Sequence, residues 1–317
     1  MRCFLCLSLV IFHFSFASAQ FTIVELNCEN LFDTRHDSLK QDQEFLPDGS
    51  LHWTKSKYWR KLNAIGQEIL SCDDKCPELV ALVEVENDSV LFDLTRRSLL
   101  RNAGYRYTVT ASPDVRGLDV AILYQPERFT QLTYSAIRVP PLSGQRPTRD
   151  ILYIKGVVAT GDTLHIFIVH APSRYGGEKR TRPYRMQVAR LLCQQIDSLG
   201  QQAQVIITGD FNDYAESPAL QHLYKRGLVN ATASACGRHG AKGTYRYRGE
   251  WRSIDHLLVT PSLSDRVDSA YVNDAPFLLE EDDKYGGYRP RRTFRNYRYQ
   301  PNGFSDHLPL VVRFRAK

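Results

Sequence analysis

Six short polar motifs in this chain sit where apolar runs end or begin, and they carry the side chains that phosphate-ester hydrolysis needs. Asn27-Cys28-Glu29-Asn30 follows the apolar run 21–26. Glu84 closes the run 79–83. A carboxylate finishing a buried strand is a hard oxygen ligand for Mg²⁺ or Mn²⁺, although a surface glutamate would look the same. His170 closes the run 164–169 in Val169-His170-Ala171-Pro172-Ser173-Arg174. Its imidazole can bond a phosphate oxygen or serve a leaving group, or it can be structural. Gly209-Asp210-Phe211-Asn212 follows the run 205–208. Asp210 can orient or deprotonate water, and Asn212 can hold a phosphate oxygen without adding charge. Two apart, they face one side if the strand continues; an Asx turn closing the strand is the plainer alternative. Ser253-Ile254-Asp255-His256 and Ser305-Asp306-His307 each set a carboxylate beside an imidazole. Any one of these could be structural. Together, in a chain with no nucleophilic-serine elbow and no glycine-rich phosphate loop, they point to one hydrolytic site.

The elements that must position them are mainly strands. Continuous apolar runs bounded by Gly, Pro or Asp occur at 21–26, 79–85, 105–110, 120–124, 151–158, 164–169, 205–208, 254–259 and 308–314, as for strands buried on both faces. Tyr58, Leu62, Ile65 and Ile69 recur at helical spacing, as do Val188, Leu191, Leu192 and Leu199. Thr181 followed by Pro183 marks the start of the second helix. Strands with interspersed helices predict two packed sheets with helices outside. Most of the motifs fall at the C-terminal ends of strands, where side chains reach a shared cleft.

Composition narrows the class. The chain has 317 residues, 43% hydrophobic and 24% charged, which excludes a disordered or coiled-coil protein. A net charge of +6 suits an anionic substrate, but scattered surface lysines and arginines would give the same value. Met1-Arg2, an apolar run over 5–16 and Ala17-Ser18-Ala19 predict an export signal over 1–19, cleaved before Gln20. The expected product is a single catalytic domain, 20–317, secreted or periplasmic. No stretch is long enough for stable membrane insertion, and no motif points to a protein partner. Five cysteines remain after cleavage, an odd number; Cys72 and Cys76 are close enough for a local bridge or stay as free thiols.

In these motifs the chain resembles the endonuclease/exonuclease/phosphatase superfamily, with its deoxyribonuclease I-like fold. The resemblance runs from Phe21 to Phe314 and keeps the family order of Asn27, Glu84, His170, Gly209-Asp210-Phe211-Asn212, Asp255 and Ser305-Asp306-His307. It implies an α/β four-layer sandwich, two mostly antiparallel β-sheets packed together and flanked by helices. It implies a metal, Mg²⁺ or Mn²⁺, at Glu84 with Asn27 and Asp306 close by. Asp210 would position or deprotonate water, and Asn212 would fix a phosphate oxygen. His307, oriented by Asp255, and His170 would stabilise developing charge or handle protons. Asp119 falls where some members place a carboxylate supporting the strand-end histidine; its partner here would be His170.

The rim bears on the substrate. Residues 243–252 and 285–299 are rich in arginine and tyrosine and lead into Asp255 and Asp306. Arginine neutralises phosphates and aromatic rings stack on bases, so Tyr245, Arg289 and Arg291, with Arg116 and Arg174, are candidate substrate contacts. These residues point to DNA or RNA. The alternatives are ordered lid loops whose arginines bond backbone carbonyls or Glu280, Glu281, Asp282 and Asp283. A small sugar-phosphate, nucleotide or phospholipid head group remains open as substrate, as does an inactive binding module.

Overall fold

The computed structural model describes residues 21–315. The expected export segment lies outside the described residues. In chain order the strands are β1 (Phe21–Leu31), β2 (Leu79–Val85), β3 (Arg106–Val109), β4 (Asp119–Tyr124), β5 (Phe129–Ile137) and β6 (Ile151–Val158). β7 (Thr163–His170), β8 (Gln204–Asp210), β9 (Val229–Asn230), β10 (Tyr245–Tyr247), β11 (Glu250–Arg252) and β12 (Asp255–Val259) follow. The last are β13 (Val267–Val272), β14 (Leu279–Glu281), β15 (Tyr288–Pro290), β16 (Phe294–Arg295), β17 (Arg298–Tyr299) and β18 (Leu310–Phe314). The helices are α1 (Lys55–Leu70), α2 (Asp88–Arg96), α3 (Glu178–Asp197), α4 (Pro218–Lys225) and the single turn α5 (Pro261–Ser264).

Among the described residues there are two six-stranded sheets, ordered β13-β18-β1-β2-β4-β3 and β5-β6-β7-β8-β12-β9. Each is antiparallel except for one central pair, β1 with β2 and β7 with β8. Period-two alternation sorts the apolar residues into layers. Ile23, Leu79, Ala81 and Val83 meet Ile166, Ile168, Ile206 and Leu257 between the sheets. Val24, Leu26, Val80 and Leu82 face the other way, onto Tyr58, Leu62, Ile65 and Ile69 of α1. On the second sheet Phe167, Val169, Val205 and Ile207 pack under Val188, Leu192 and Ile196 of α3 and Leu220 and Leu223 of α4. These are the four layers of the sandwich. No helix of the described residues is long and apolar enough to cross a membrane.

Strand polarity gathers the motifs. The C-terminal ends of β1, β2, β7 and β8 share one edge of the sandwich. β12 runs antiparallel to β8, so its first residue, Asp255, pairs with Asp210, the last residue of β8. β18 runs antiparallel to β1, so Asp306 and His307, just before it, reach the same edge.

Two sequence expectations need correction. α3 begins at Glu178, a turn before Thr181, and Pro183 lies inside it. β5 and β13 were not foreseen: most of β5 is exposed on an edge, and β13 is mainly half-buried, so neither shows a continuous apolar run. Of the two states left open for Cys72 and Cys76, both residues are free thiols.

Candidate active site

Motif residues converge on a cleft of about 880 Å³ lined by Glu84, His170, Asp210, Asn212, Tyr245, Asp306 and His307, with Arg116 and Arg174 from the rim. The backbone is bent hard to present them. Glu29, Asn30, Glu84 and Asn212 all have left-handed φ, at 48°, 60°, 62° and 50°. Strain of this kind, clustered at one place, marks a functional site. At Gly209 (φ 138°) a Cβ would stand 1.9 Å from the Val169 carbonyl oxygen. Only glycine lets β8 lie this close to β7 while placing Asp210 beside His170.

Asp210 is the hub. Its carboxylate accepts bonds from Asn27 Nδ2 (3.2 Å), Asn212 Nδ2 (3.1 Å) and the Asn212 backbone N–H (2.7 Å). The last bond is an Asx turn, so the plainer reading of Asp-x-Asn holds, and yet Asn212 still lines the cleft. The strand does not continue through Asn212; the turn, not period-two alternation, puts the two residues together. Burial, then the neighbouring Asp255 carboxylate, push the Asp210 pKa up to about 8.

His307 Nδ1 donates to Asp255 Oδ2 at 2.8 Å, and Thr244 Oγ1 donates to the same oxygen. The His307 Nε2 edge lies 4.0 Å from Asp306 Oδ1. Burial opposes charge on this imidazole, but the Asp255 carboxylate, by charge and hydrogen bond, outweighs it and holds the His307 pKa well above the usual value. His307 is therefore an imidazolium, a proton donor at neutral pH. His170 is the reverse. Burial, with Arg149 and Arg116 nearby, drives its pKa well down, so it is neutral. Its Nε2 lies 3.6 Å from Glu84 Oε1 and 3.7 Å from Asp210 Oδ2.

Several sequence assignments change. Asp119 does not support His170: its carboxylate takes bonds from Thr110 Oγ1 (2.5 Å), Ser112 N (2.8 Å) and Ser112 Oγ. His170 Nδ1 is buried without a partner. Asp119 starts β4 at the edge that bears the cleft but pins the loop after β3. Asn27 does not line the cleft: its Oδ1 accepts the Glu29 N–H (2.9 Å) while its amide holds Asp210. Asp255 likewise works from behind His307. His256, one residue on, points to the opposite face, against Phe211 and the Asp213 carbonyl (2.9 Å). Arg289 pairs with Glu280 (2.9 Å) and Asp282 (3.4 Å), and Arg291 donates to the Leu279 carbonyl (2.9 Å), so neither lines the cleft. For those two arginines the ordered-loop alternative is the right one.

Other residues take roles that the sequence did not assign them. Arg149, nearly buried, pairs with Asp114 (3.2 Å), donates to the Ala171 carbonyl (2.9 Å) and lines the cleft. Arg292 donates to Asp306 Oδ2 at 2.5 Å. Glu29 anchors the loop leading to Asp306 by accepting from Thr293 N (2.5 Å) and Phe294 N (3.3 Å). Tyr214 lies under two guanidinium groups, Arg174 at 4.4 Å and Arg252 at 4.0 Å from its ring centroid. A lone arginine before a strand carries no periodic signal, which is why Arg149 is silent in the sequence.

The donor set fits a divalent cation. Asp210, Asp255 and His307 offer ligand atoms within 4.8 Å of one another, but Asp255 and His307 are bound to each other. Glu84, its carboxylate oriented by the Asn30 N–H (2.9 Å), and Asp306 line the cleft beside Asp210. Glu29, its pKa pushed up to about 7 by burial and by Asp306, adds a further carboxylate to the lining. Hard oxygen donors of this kind suit Mg²⁺ or Mn²⁺.

The Endonuclease/Exonuclease/phosphatase family profile matches residues 22–316. An endonuclease/exonuclease/phosphatase family protein of Bacteroides thetaiotaomicron superposes with TM-score 0.65 at 19% identity, over 95% of this chain and 99% of that one. A mannosyl-6-phosphatase of the same organism superposes with TM-score 0.62 at 18% identity, over 92% and 98%. Protein angel of Drosophila melanogaster is 23% identical over 223 residues, 67% of this chain and 60% of that relative's length. The match to the profile over nearly all of residues 21–315, on a two-sheet sandwich with its polar motifs at one edge, shows that the chain belongs to the endonuclease/exonuclease/phosphatase family, a family of phosphoester hydrolases.

Proposed function

We propose that this protein is a secreted, divalent-metal-dependent phosphodiesterase that cleaves DNA or RNA. The observation that carries the reading is the cleft itself: a charged His307, a neutral His170 and a high-pKa Asp210 face a space whose rim bears arginines and exposed tyrosines. Phosphodiester hydrolysis needs an oriented water, donors for the growing phosphorane charge and a proton for the leaving oxygen. Asp210, its carboxylate fixed by Asn27 and Asn212, orients the water and takes its proton. A base with a pKa of about 8 is well matched to neutral pH. The His307 imidazolium donates to the phosphoryl oxygens, Asp255 keeps the imidazole charged and aimed, and Asn212, its amide bound to Asp210 and to the Ala171 carbonyl (both 3.1 Å), holds the base in place. A metal held at Glu84 and Asp306 would neutralise phosphoryl charge.

The rim supports a nucleic-acid strand. Arg116, Arg149 and Arg174 line the cleft, as do Tyr175, Tyr247 and Tyr297, which are exposed. Cations for phosphates interleaved with aromatic faces for bases are the pattern of single-strand binding. A second reading, a sugar phosphatase, draws on the likeness to the mannosyl-6-phosphatase, and sugar rings also lie on tyrosines.

The test is hydrolysis by the chain beginning at Gln20, with Mg²⁺, Mn²⁺ or chelator. The substrates are supercoiled DNA, single-stranded DNA, RNA, bis-p-nitrophenyl phosphate, mannose 6-phosphate and sphingomyelin. Metal-dependent cutting of nucleic acid is expected. Turnover of sugar phosphate alone would move the protein to the second reading, and none at all would make it a binding module. N-terminal sequencing of exported protein tests the cleavage before Gln20.

A further inference from the structure

Tyr297 sits in a backbone conformation that tyrosine rarely adopts, with its ring in solvent at the cleft mouth. The hairpin of β16 and β17 turns through Asn296 and Tyr297, at φ 49° and 62°. A two-residue turn with both residues left-handed favours Asn-Gly, so a bulky second residue is strained. No packing offsets the strain: the residue is 85% exposed and its ring meets no other ring among the described residues. Yet the hairpin beneath is firmly held. Phe294 and Tyr299 pack on Trp53 with ring centroids 5.6 and 6.0 Å away. Thr293, at its base, takes a bond from Lys61 Nζ (2.5 Å) and donates its N–H to Glu29 (2.5 Å).

The hairpin is built onto the helix side of the first sheet. On the other wall, in the loop that follows β7 of the second sheet, Tyr175 is 91% exposed. Both tyrosines line the cleft that holds Asp210 and His307. We propose that Tyr297 is a stacking platform for a nucleobase joined to the scissile phosphate, with Tyr175 serving it from the opposite wall. The inference rests on the nucleic-acid reading above and names the part of the strand that the rim grips. A base suits the position because the planar ring stands in solvent with its face open, while Arg116 and Arg174 in the same cleft supply cations for the adjoining phosphates.

The experiment compares binding of a fluorescein-labelled trithymidylate with that of its abasic counterpart, in chelator so that neither is cleaved. Parent protein, Tyr297→Gly and Tyr297→Trp are measured. The parent should favour the base-bearing strand by about 5- to 150-fold. Tyr297→Gly should erase that preference while melting no lower than the parent, since glycine relieves the turn. Tyr297→Trp should keep it. Absence of binding, absence of preference in the parent, or a preference intact in Tyr297→Gly would each overturn the platform. So would mannose 6-phosphate displacing both strands alike from a parent with no base preference. Hydrolysis is read separately on the panel above. A base preference without turnover removes the hydrolase reading and leaves the platform; turnover without base preference does the reverse.

Discussion

His307 Nδ1 lies 2.8 Å from Asp255 Oδ2, a bond between residues 52 positions apart and both buried. It fixes the ring so that Nε2 faces the cleft, and it keeps the imidazole charged. Replacing His307 with Ala should reduce kcat by about 10²- to 10⁴-fold, with the fold retained by circular dichroism. Asp255→Asn should lose a similar factor because it removes the charge partner. Turnover unchanged in either variant would take the pair out of the mechanism.

Asp119 accepts three bonds from Thr110 and Ser112 and none from His170. Asp119→Ala should therefore lower stability by about 1–3 kcal/mol and alter kcat by less than about tenfold. A loss of kcat as large as that of His170→Ala, at unchanged stability, would restore a supporting role.

Gly209 has no room for a side chain, the Val169 carbonyl oxygen being 1.9 Å from where a Cβ would lie. Gly209→Ala should cost about 3 kcal/mol or more, since strain and collision add. Urea denaturation measures it. A cost below about 1 kcal/mol would show that β7 and β8 can part without loss.

Glu68 of α1 is buried, with neither carboxylate oxygen hydrogen-bonded. Burial pushes its pKa from 4.5 to about 8. The folded state then binds a proton that the unfolded chain has released, so stability falls as pH rises from 4.5 to about 8 and the full penalty stands above that. Glu68→Gln should stabilise the protein progressively through this window, by on the order of 1–4 kcal/mol at its upper end. A parent–variant difference in urea midpoint that does not change with pH would show that Glu68 is not neutralised by burial.

Arg174 and Arg289 separate substrate contacts from loop pairing. Arg174 lines the cleft with a buried Nη1 that has no partner, whereas Arg289 is bonded to Glu280 and Asp282. Arg174→Ala should weaken nucleic-acid binding and reduce the slope of log affinity against log salt by about 1. Arg289→Ala should leave the slope alone and cost at most about 1 kcal/mol of stability. Reversed effects would put residues 285–291 back in the groove.

The sequence by itself determined the strands that carry the motifs and most of the polar groups that gather in the cleft. Buried strands read as unbroken apolar runs, so a polar residue ending one stands out: Glu84, His170 and Asp210 were legible for that reason. Which polar groups face each other was decided only by tertiary structure. Register and strand polarity place Asp255 opposite Asp210 and bring His307 to Asp255, neither of which is encoded by nearby residues. Asp119 has Thr110 and Ser112 within reach, and these local partners satisfy it before His170 can. Arg149, Arg289 and Arg291 are alike as sequence. One lies nearly buried beneath the cleft, while the others meet carboxylates or a carbonyl of their own loop. A long, charged side chain takes whichever partner the fold brings within reach, and that partner is set by distances no local pattern records.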